Sequence, residues 1–422
     1  MVLFKSDAAF RRRLFRLLVT EFVWGVGTFF VLPTTTVPAF LTARGATPVI
    51  VGLMATAMGA LPLLFQFFGR GVLDRFRNRR LGVIRMHIPI ILPYAALAVA
   101  DLLLAGHPRV TIGLCIVFLG ISQIALGVVT PVWIDMIARI IPLEWRGRYF
   151  GFSSGAFALG GIAGSSALYY LERLAGAYVF PAAFAIAAVF FALSIAMFAT
   201  VPMTADVFQH PAELPLRARV TAAARACHWR TDFGRLIVSY AGVLLAAALV
   251  PFIVVYATDG TRGLGYPASV FTRLTVLQAM GGAASAITLG WLVDHHGPRW
   301  PWVCATLVMP LVVVLLPYGG WWPLLAACAL LAGAMSTHWS ISAPALLEFS
   351  PDGDKSAYVA MANIVAFVPA SLGPLIYGGL IQRAGFEWAF VVAGAAGLAA
   401  AVPAMTLKRR VASFRDAKAA AD

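Results

Sequence analysis

The chain has 422 residues, 61% of them hydrophobic and 12% charged, with a mean hydropathy of +0.85. A soluble protein carries roughly twice that charged fraction, so the composition excludes an ordinary soluble globule and points to a membrane protein. The net charge of +14 suits either nucleic acid or a membrane-topology signal.

Cysteine and histidine narrow the chemistry further. The four cysteines (Cys115, Cys227, Cys304 and Cys328) are scattered, and the seven histidines form no metal-binding spacing. His295 and His296 are adjacent, which is poor geometry for one shared metal. No metal and no cofactor is expected.

In chain order, the N-terminal stretch MVLFKSDAAFRRRLFRLL is basic and then apolar. The apolar part runs on to Phe40, too long for the core of a signal peptide, so it is read as a retained first span. A bilayer core takes about 20 apolar residues per helix. Twelve segments qualify: 17–40, 48–68, 83–104, 110–134, 149–171, 178–201, 235–257, 268–292, 300–317, 321–346, 357–381 and 386–407. With twelve spans both ends lie on one side. The connections sharing that side, with the adjoining helix ends, carry 26 of the 32 Lys and Arg. The other side holds Arg44, Arg109, Arg173, Arg262, Arg273 and Arg383. Positively charged loops stay in the cytoplasm, so both termini are expected there. The bias also explains the net charge, and no nucleic-acid partner is expected.

The longest connection, 202–234, is basic and weakly amphipathic, as expected for a cytoplasmic linker lying on the anionic leaflet. The expected fold is an all-α membrane protein with 12 transmembrane helices in two pseudo-symmetric six-helix bundles. The bundles span 1–201 and 235–407, and 408–422 forms a cytoplasmic tail. A monomer in a lipid bilayer is expected. Lys is scarce (four, against 28 Arg) and Ala abundant, which suggests a high-GC bacterial genome and an inner-membrane location.

Two polar knots interrupt the apolar pattern at equivalent places. GRGVLDRFRNRR (69–80) lies between spans 2 and 3, and GWLVDHHGPRW (290–300) between spans 8 and 9. A second pair, IPLEWRGRYFG (141–151) and SPDGDKSAYVA (350–360), superimposes at an offset of 209. The same offset aligns Gly164 with Gly373 and Gly176 with Gly385. Weak internal symmetry of this kind marks transporters built from repeats.

At these residues the chain resembles the major facilitator superfamily, whose signature is G-x-x-x-D-[RK]-x-G-x-[RK]. Gly290, Asp294, Gly297 and Arg299 match it, with His295 in place of the usual base; in the first copy Asp74, Arg75, Arg79 and Arg80 match. Pro142, Arg146, Gly147 and Arg148 resemble the family's loop between spans 4 and 5. The resemblance implies a cytoplasmic gate. The Asp of each knot would face the N-terminus of a helix in the opposite half, where the dipole favours negative charge. Asp135, at the end of span 4, stands where the family pairs an acid with the motif's arginines. Anchoring at lipid headgroups is the alternative role for these charges. Two signatures of drug–proton antiporters are missing: Gly120 stands where span 4 would carry an Arg, and the glycine-rich span 5 lacks its proline.

An ionisable group inside a span is a functional candidate. Glu21, in span 1, shares a helical face with Trp24, Gly25, Thr28 and Thr35. The resemblance implies that spans 1, 4, 7 and 10 line a central cavity. Glu21 also lies about one turn beyond Arg16, which leaves open that it reaches to the interface instead. Gln123 and Thr130 on span 4, Gln278 on span 8, His338 and Trp339 on span 10 and Asn363 on span 11 are further cavity candidates. Interhelical hydrogen bonding is the alternative for each. Asp101, Glu172, Arg173 and Arg273 are read as interface or external-gate charges.

The expected function is a secondary active transporter of a small organic solute by alternating access, with the proton as candidate coupling ion. The alternative is a non-transporting membrane sensor or assembly factor on the same fold. No nucleotide loop, nucleophile motif or metal cluster suggests an enzyme.

Overall fold

The computed structural model describes residues 8–73, 75–76, 78–141, 143–202, 221, 231–296, 298–316, 319–349 and 355–408. Regular structure among them is helical throughout. The chain groups into two compact units, residues 1–46 with 60–211 and residues 47–59 with 212–422.

Unit 1 contains α1 (Ala8–Phe30), α2 (Thr36–Ala43), α4 (Gly69–Leu73), α5 (Arg79–Met86), α6 (Ile88–Leu103), α7 (Pro108–Ile140), α8 (Leu143–Ala175) and α9 (Val179–Ala199). Between α2 and α4, α3 (Pro48–Phe65) divides its residues between the units. Unit 2 contains α10 (Asp232–Ala247), α11 (Pro251–Thr258), α12 (Val270–His296), α13 (Arg299–Leu315), α14 (Trp321–Phe349), α15 (Lys355–Ala384) and α16 (Phe386–Met405). Among the described residues six segments are long and apolar enough to cross a membrane. One of these, Gly151–Ala199, is 49 residues long and turns back on itself at Gly176, so it has the length of two crossings.

Three of the expected spans are not single helices, and proline accounts for each break. Proline lacks an N–H and its ring collides with the carbonyl four residues back. Span 1 breaks between Phe30 and Thr36, around Pro33. Span 7 breaks between Ala247 and Pro251, which then opens α11 at a position where a missing N–H costs nothing. Span 3 breaks at His87, just before Pro89 in the first turn of α6. There the His87 backbone N–H bonds Ile84 at 3.1 Å, and the carbonyl of Val83, one turn back, meets the imidazole Nδ1 at 2.8 Å instead.

The helix pairings recur in the two units. In unit 1, α1 packs on α8 and α9, α6 on α7 and α9, and α4 on α7. In unit 2 the counterparts hold: α10 on α15 and α16, α13 on α14 and α16, and α12 on α14. The glycine alignment seen in the sequence has a structural meaning. Gly176 and Gly385 both take positive φ, 52° and 92°, each in the short turn between two long helices. That region disfavours any residue with a Cβ.

With lipid outside, helices associate by close packing and a few hydrogen bonds. Each unit has its own apolar core, around Leu17, Val83, Met136 and Phe198 in one and Phe233, Trp302, Ile341 and Phe349 in the other. Ser194 Oγ donates to the Thr20 carbonyl at 2.9 Å, and Ser122 Oγ to Ile90 at 3.1 Å. In unit 2 the Trp302 indole donates to Ser239 Oγ at 2.8 Å, and Ser239 in turn donates to the Ala400 carbonyl at 2.8 Å. Gly160 and Gly164 of α8 sit against the backbone of Phe22 and Val26 on α1. Gly164→Ala should therefore push these two helices apart. We expect a loss of about 1–3 kcal/mol, the usual cost of overpacking, read as a lower unfolding midpoint. A midpoint equal to wild type would show that α1 and α8 have slack there.

Arginines repeat a clamp at one helix end of each unit. Arg16 donates to the Thr200 carbonyl and Arg80 to Ala199, both at the C-terminus of α9. Arg235 donates to Thr406 at 3.2 Å and Arg299 to Met405 at 2.6 Å, both at the C-terminus of α16. A helix C-terminus leaves carbonyls unpaired and carries the negative end of the dipole, so cations belong there.

Candidate functional site

The residues around Glu21 form the most developed polar cluster in unit 1. Glu21 is half-buried on α1. It does not pair with Arg16, one turn earlier, whose guanidinium bonds Thr200. Its carboxylate lies within hydrogen-bonding reach of the Trp133 indole N–H on α7. Tyr149, near the start of α8 and 1% exposed, bonds Ser153 and lies in electrostatic range of Glu21. Trp24, one turn after Glu21, packs on Phe191 with ring centroids 4.5 Å apart. Trp133 packs on Phe198 at 4.6 Å.

Between the two indoles sits His87, which the sequence reading did not single out. Its ring centroid is 5.9 Å from Trp24 and 5.9 Å from Trp133, at 82° and 76°, both edge-to-face contacts. Four helices thus bring Glu21, Trp24, His87, Trp133 and Tyr149 into one neighbourhood.

The polar stripe expected on span 1 is interrupted. Thr28 keeps its place but spends its hydroxyl on the Trp24 carbonyl at 2.9 Å. Thr35 is not on the same helix face, because α1 ends at Phe30; it is buried at the start of α2. The physical reason is Pro33 in the break. Gly25 faces the backbone of Phe157 and serves helix packing.

The other candidates stand apart from this cluster. Gln123 is buried, Gln278 half-buried, and Thr130 exposed with its hydroxyl on the Leu126 carbonyl at 2.7 Å. The side chains of His338, Trp339 and Asn363 lie outside the described residues, although their helices are described. Of the two knots, Arg75 is exposed and Arg299 is bonded to Met405. Asp74 and Gly297 lie outside the described residues, as do the side chains of Arg79, Asp135, Arg146 and Asp294; Gly290 falls within α12.

Charges read as interfacial have partners. Asp101 accepts a two-pronged bond from Arg44, Nε to Oδ1 at 2.8 Å and Nη2 to Oδ2 at 2.7 Å. Arg173 bonds the Tyr169 hydroxyl and lies over its ring, and Arg273 lies over Trp321 at 5.0 Å. Asp259, after α11, orders its own turn. Burial opposes its charge, but the backbone N–H groups of Arg262 and Thr261, the Thr261 hydroxyl and the Arg262 charge together hold its carboxyl below the usual range.

Comparison with known proteins follows from this geometry. A family model described as Major Facilitator Superfamily matches residues 17–272 and 232–421. Among curated proteins none matches. Similar solved structures include a D-xylose-proton symporter, 14% identical, covering 94% of this chain and 98% of its own, with a TM-score of 0.72. A nucleoside transporter, NupG, is 12% identical over 96% of this chain and 100% of its own, with a TM-score of 0.67. A bacterial homolog to the human lysosomal transporter Spinster, in an inward-facing and unoccupied conformation, is 14% identical over 95% of both chains, with a TM-score of 0.65.

Proposed function

The chain belongs to the Major Facilitator Superfamily, and from that premise we propose that it is a secondary active transporter of a small organic solute, working by alternating access and coupled to protons through Glu21. As a family member it is a multi-pass membrane protein. The observation that carries the coupling is Glu21 itself, an ionisable side chain within an apolar helix, placed with Trp133 rather than with a cation. The structural neighbours support the solute class: one is named a symporter of D-xylose and protons, another a nucleoside transporter. A sensor or assembly factor draws no such support. A thermal-shift ligand screen on the purified protein, followed by liposome flux of the stabilising solutes under a pH gradient, tests the reading. No flux of any stabilising solute would refute transport.

Twelve spans with both termini in the cytoplasm of a bacterial inner membrane are part of this proposal. Reporter fusions after Arg262 and after Arg410 should report opposite sides, and the same side for both would refute it. The acids of the two knots are read as charges that favour the inside-closed state. Asp74→Asn and Asp294→Asn should each raise cysteine accessibility from the cytoplasm by roughly twofold or more while leaving folding intact. Unchanged accessibility in both would remove the gating role.

A further inference from the structure

His87 is 5% exposed, in a unit whose interior is otherwise apolar and aromatic. Its Nδ1 is engaged by the Val83 carbonyl, which makes Nδ1 the protonated nitrogen of the neutral ring. Among the described residues Nε2 has no hydrogen-bond partner. A proton can therefore add at Nε2 without breaking the bond that holds the ring. Both indole centroids lie within the roughly 6 Å over which an indole attracts a cation. One of those indoles, that of Trp133, is also the hydrogen-bond donor within reach of Glu21.

We propose that Glu21 and His87 form one proton-binding site in unit 1, coupled through the indole of Trp133 that both contact. The site holds up to two protons, one on a carboxylate oxygen and one on Nε2, and exchanges them with water by simple transfer. With one proton bound, a carboxylate and an imidazolium face each other across Trp133, and each charge offsets the other's burial. Other titratable groups on the surrounding helices are accounted for. On α1, Arg16 is turned to Thr200; on α5, Arg80 is turned to Ala199. Arg85 and Tyr94 lie on the helices joined at His87, Tyr149 on α8 faces Glu21, and α9 carries no titratable residue. Arg70, Arg79 and Asp135 have side chains outside the described residues.

The proposal deepens the coupling role given to Glu21, and its test needs no transported solute. The full-length protein, labelled with 15N-histidine in lipid nanodiscs, is titrated by NMR, and the His87 signals are assigned by their loss in His87→Gln. His87 should titrate between pH 4 and 9. Its midpoint should fall by about one pH unit in Glu21→Gln, because the carboxylate that favours the imidazolium is gone. Glu21→Asp, which keeps the charge, should hold the wild-type midpoint to within about half a unit, and it serves if Glu21→Gln fails to fold. A His87 that does not titrate in that range, or a midpoint unchanged in Glu21→Gln, overturns the pair. A coupled pair in a protein whose solute flux ignores a pH gradient would refute proton-driven transport and leave the pair standing.

Discussion

Asp101→Ala is expected to lower the unfolding midpoint more than any other single change in unit 1, by roughly 6–12 °C. Asp101 is 1% exposed at its side chain and accepts both prongs of Arg44, which is 24% exposed. The pair ties the C-terminal end of α2 to the last turn of α6. Removing one partner leaves the other charge partly buried without compensation, which costs on the order of 3 kcal/mol. For a unit of this size each kcal/mol moves the midpoint by about 2–4 °C. Intrinsic-fluorescence melting of the detergent-solubilised protein measures it. The double variant Arg44→Met with Asp101→Leu should recover most of the loss, since an apolar pair of similar volume often replaces a buried ion pair at little cost. A wild-type midpoint in Asp101→Ala would mean that the charges are already well solvated.

Sequence periodicity located the apolar runs because lipid and the bundle interior demand the same thing of every span. The repeat was legible for a similar reason. Gly176 and Gly385 aligned at one offset because the same turn, with positive φ, is needed twice. The breaks at Pro33, Pro89 and Pro251 were visible as residues, but how far each would rotate the following helix was not, and that cost Thr35 its place on the face of Glu21. Contacts between distant helices were not legible at all. Arg16 lies one turn from Glu21 in sequence, yet its partner, Thr200, is 184 residues away. Arg44 and Asp101 are 57 residues apart, on different helices, and nothing in either helix's own pattern pairs them. His87 looked like a lone polar residue in an apolar run. It acquires a role only when the break before Pro89 sets it between tryptophans from two other helices.

Glu21→Gln should abolish accumulation driven by a pH gradient while sparing downhill exchange. Glutamine keeps the shape of the side chain, and its carbonyl oxygen can still accept the Trp133 indole N–H, so the packing of α1 against α7 has no reason to change. What disappears is the ability to bind and release a proton. A gradient of one pH unit supplies about 1.4 kcal/mol per proton, enough for a roughly tenfold accumulation at one proton per solute. The variant should bring that ratio to about one, with solute exchange at zero gradient within about threefold of wild type. Glu21→Asp retains a titrating carboxylate and should keep a measurable part of the accumulation. The measurement is uptake of a solute identified by the ligand screen into liposomes, with and without an imposed gradient. Persistent tenfold accumulation in Glu21→Gln would remove Glu21 from the coupling step and turn attention to His338 on α14 and Asp135 on α7. Loss of exchange together with accumulation would show that Glu21 holds the solute as well, because a group needed only for protons has no part in movement without a gradient.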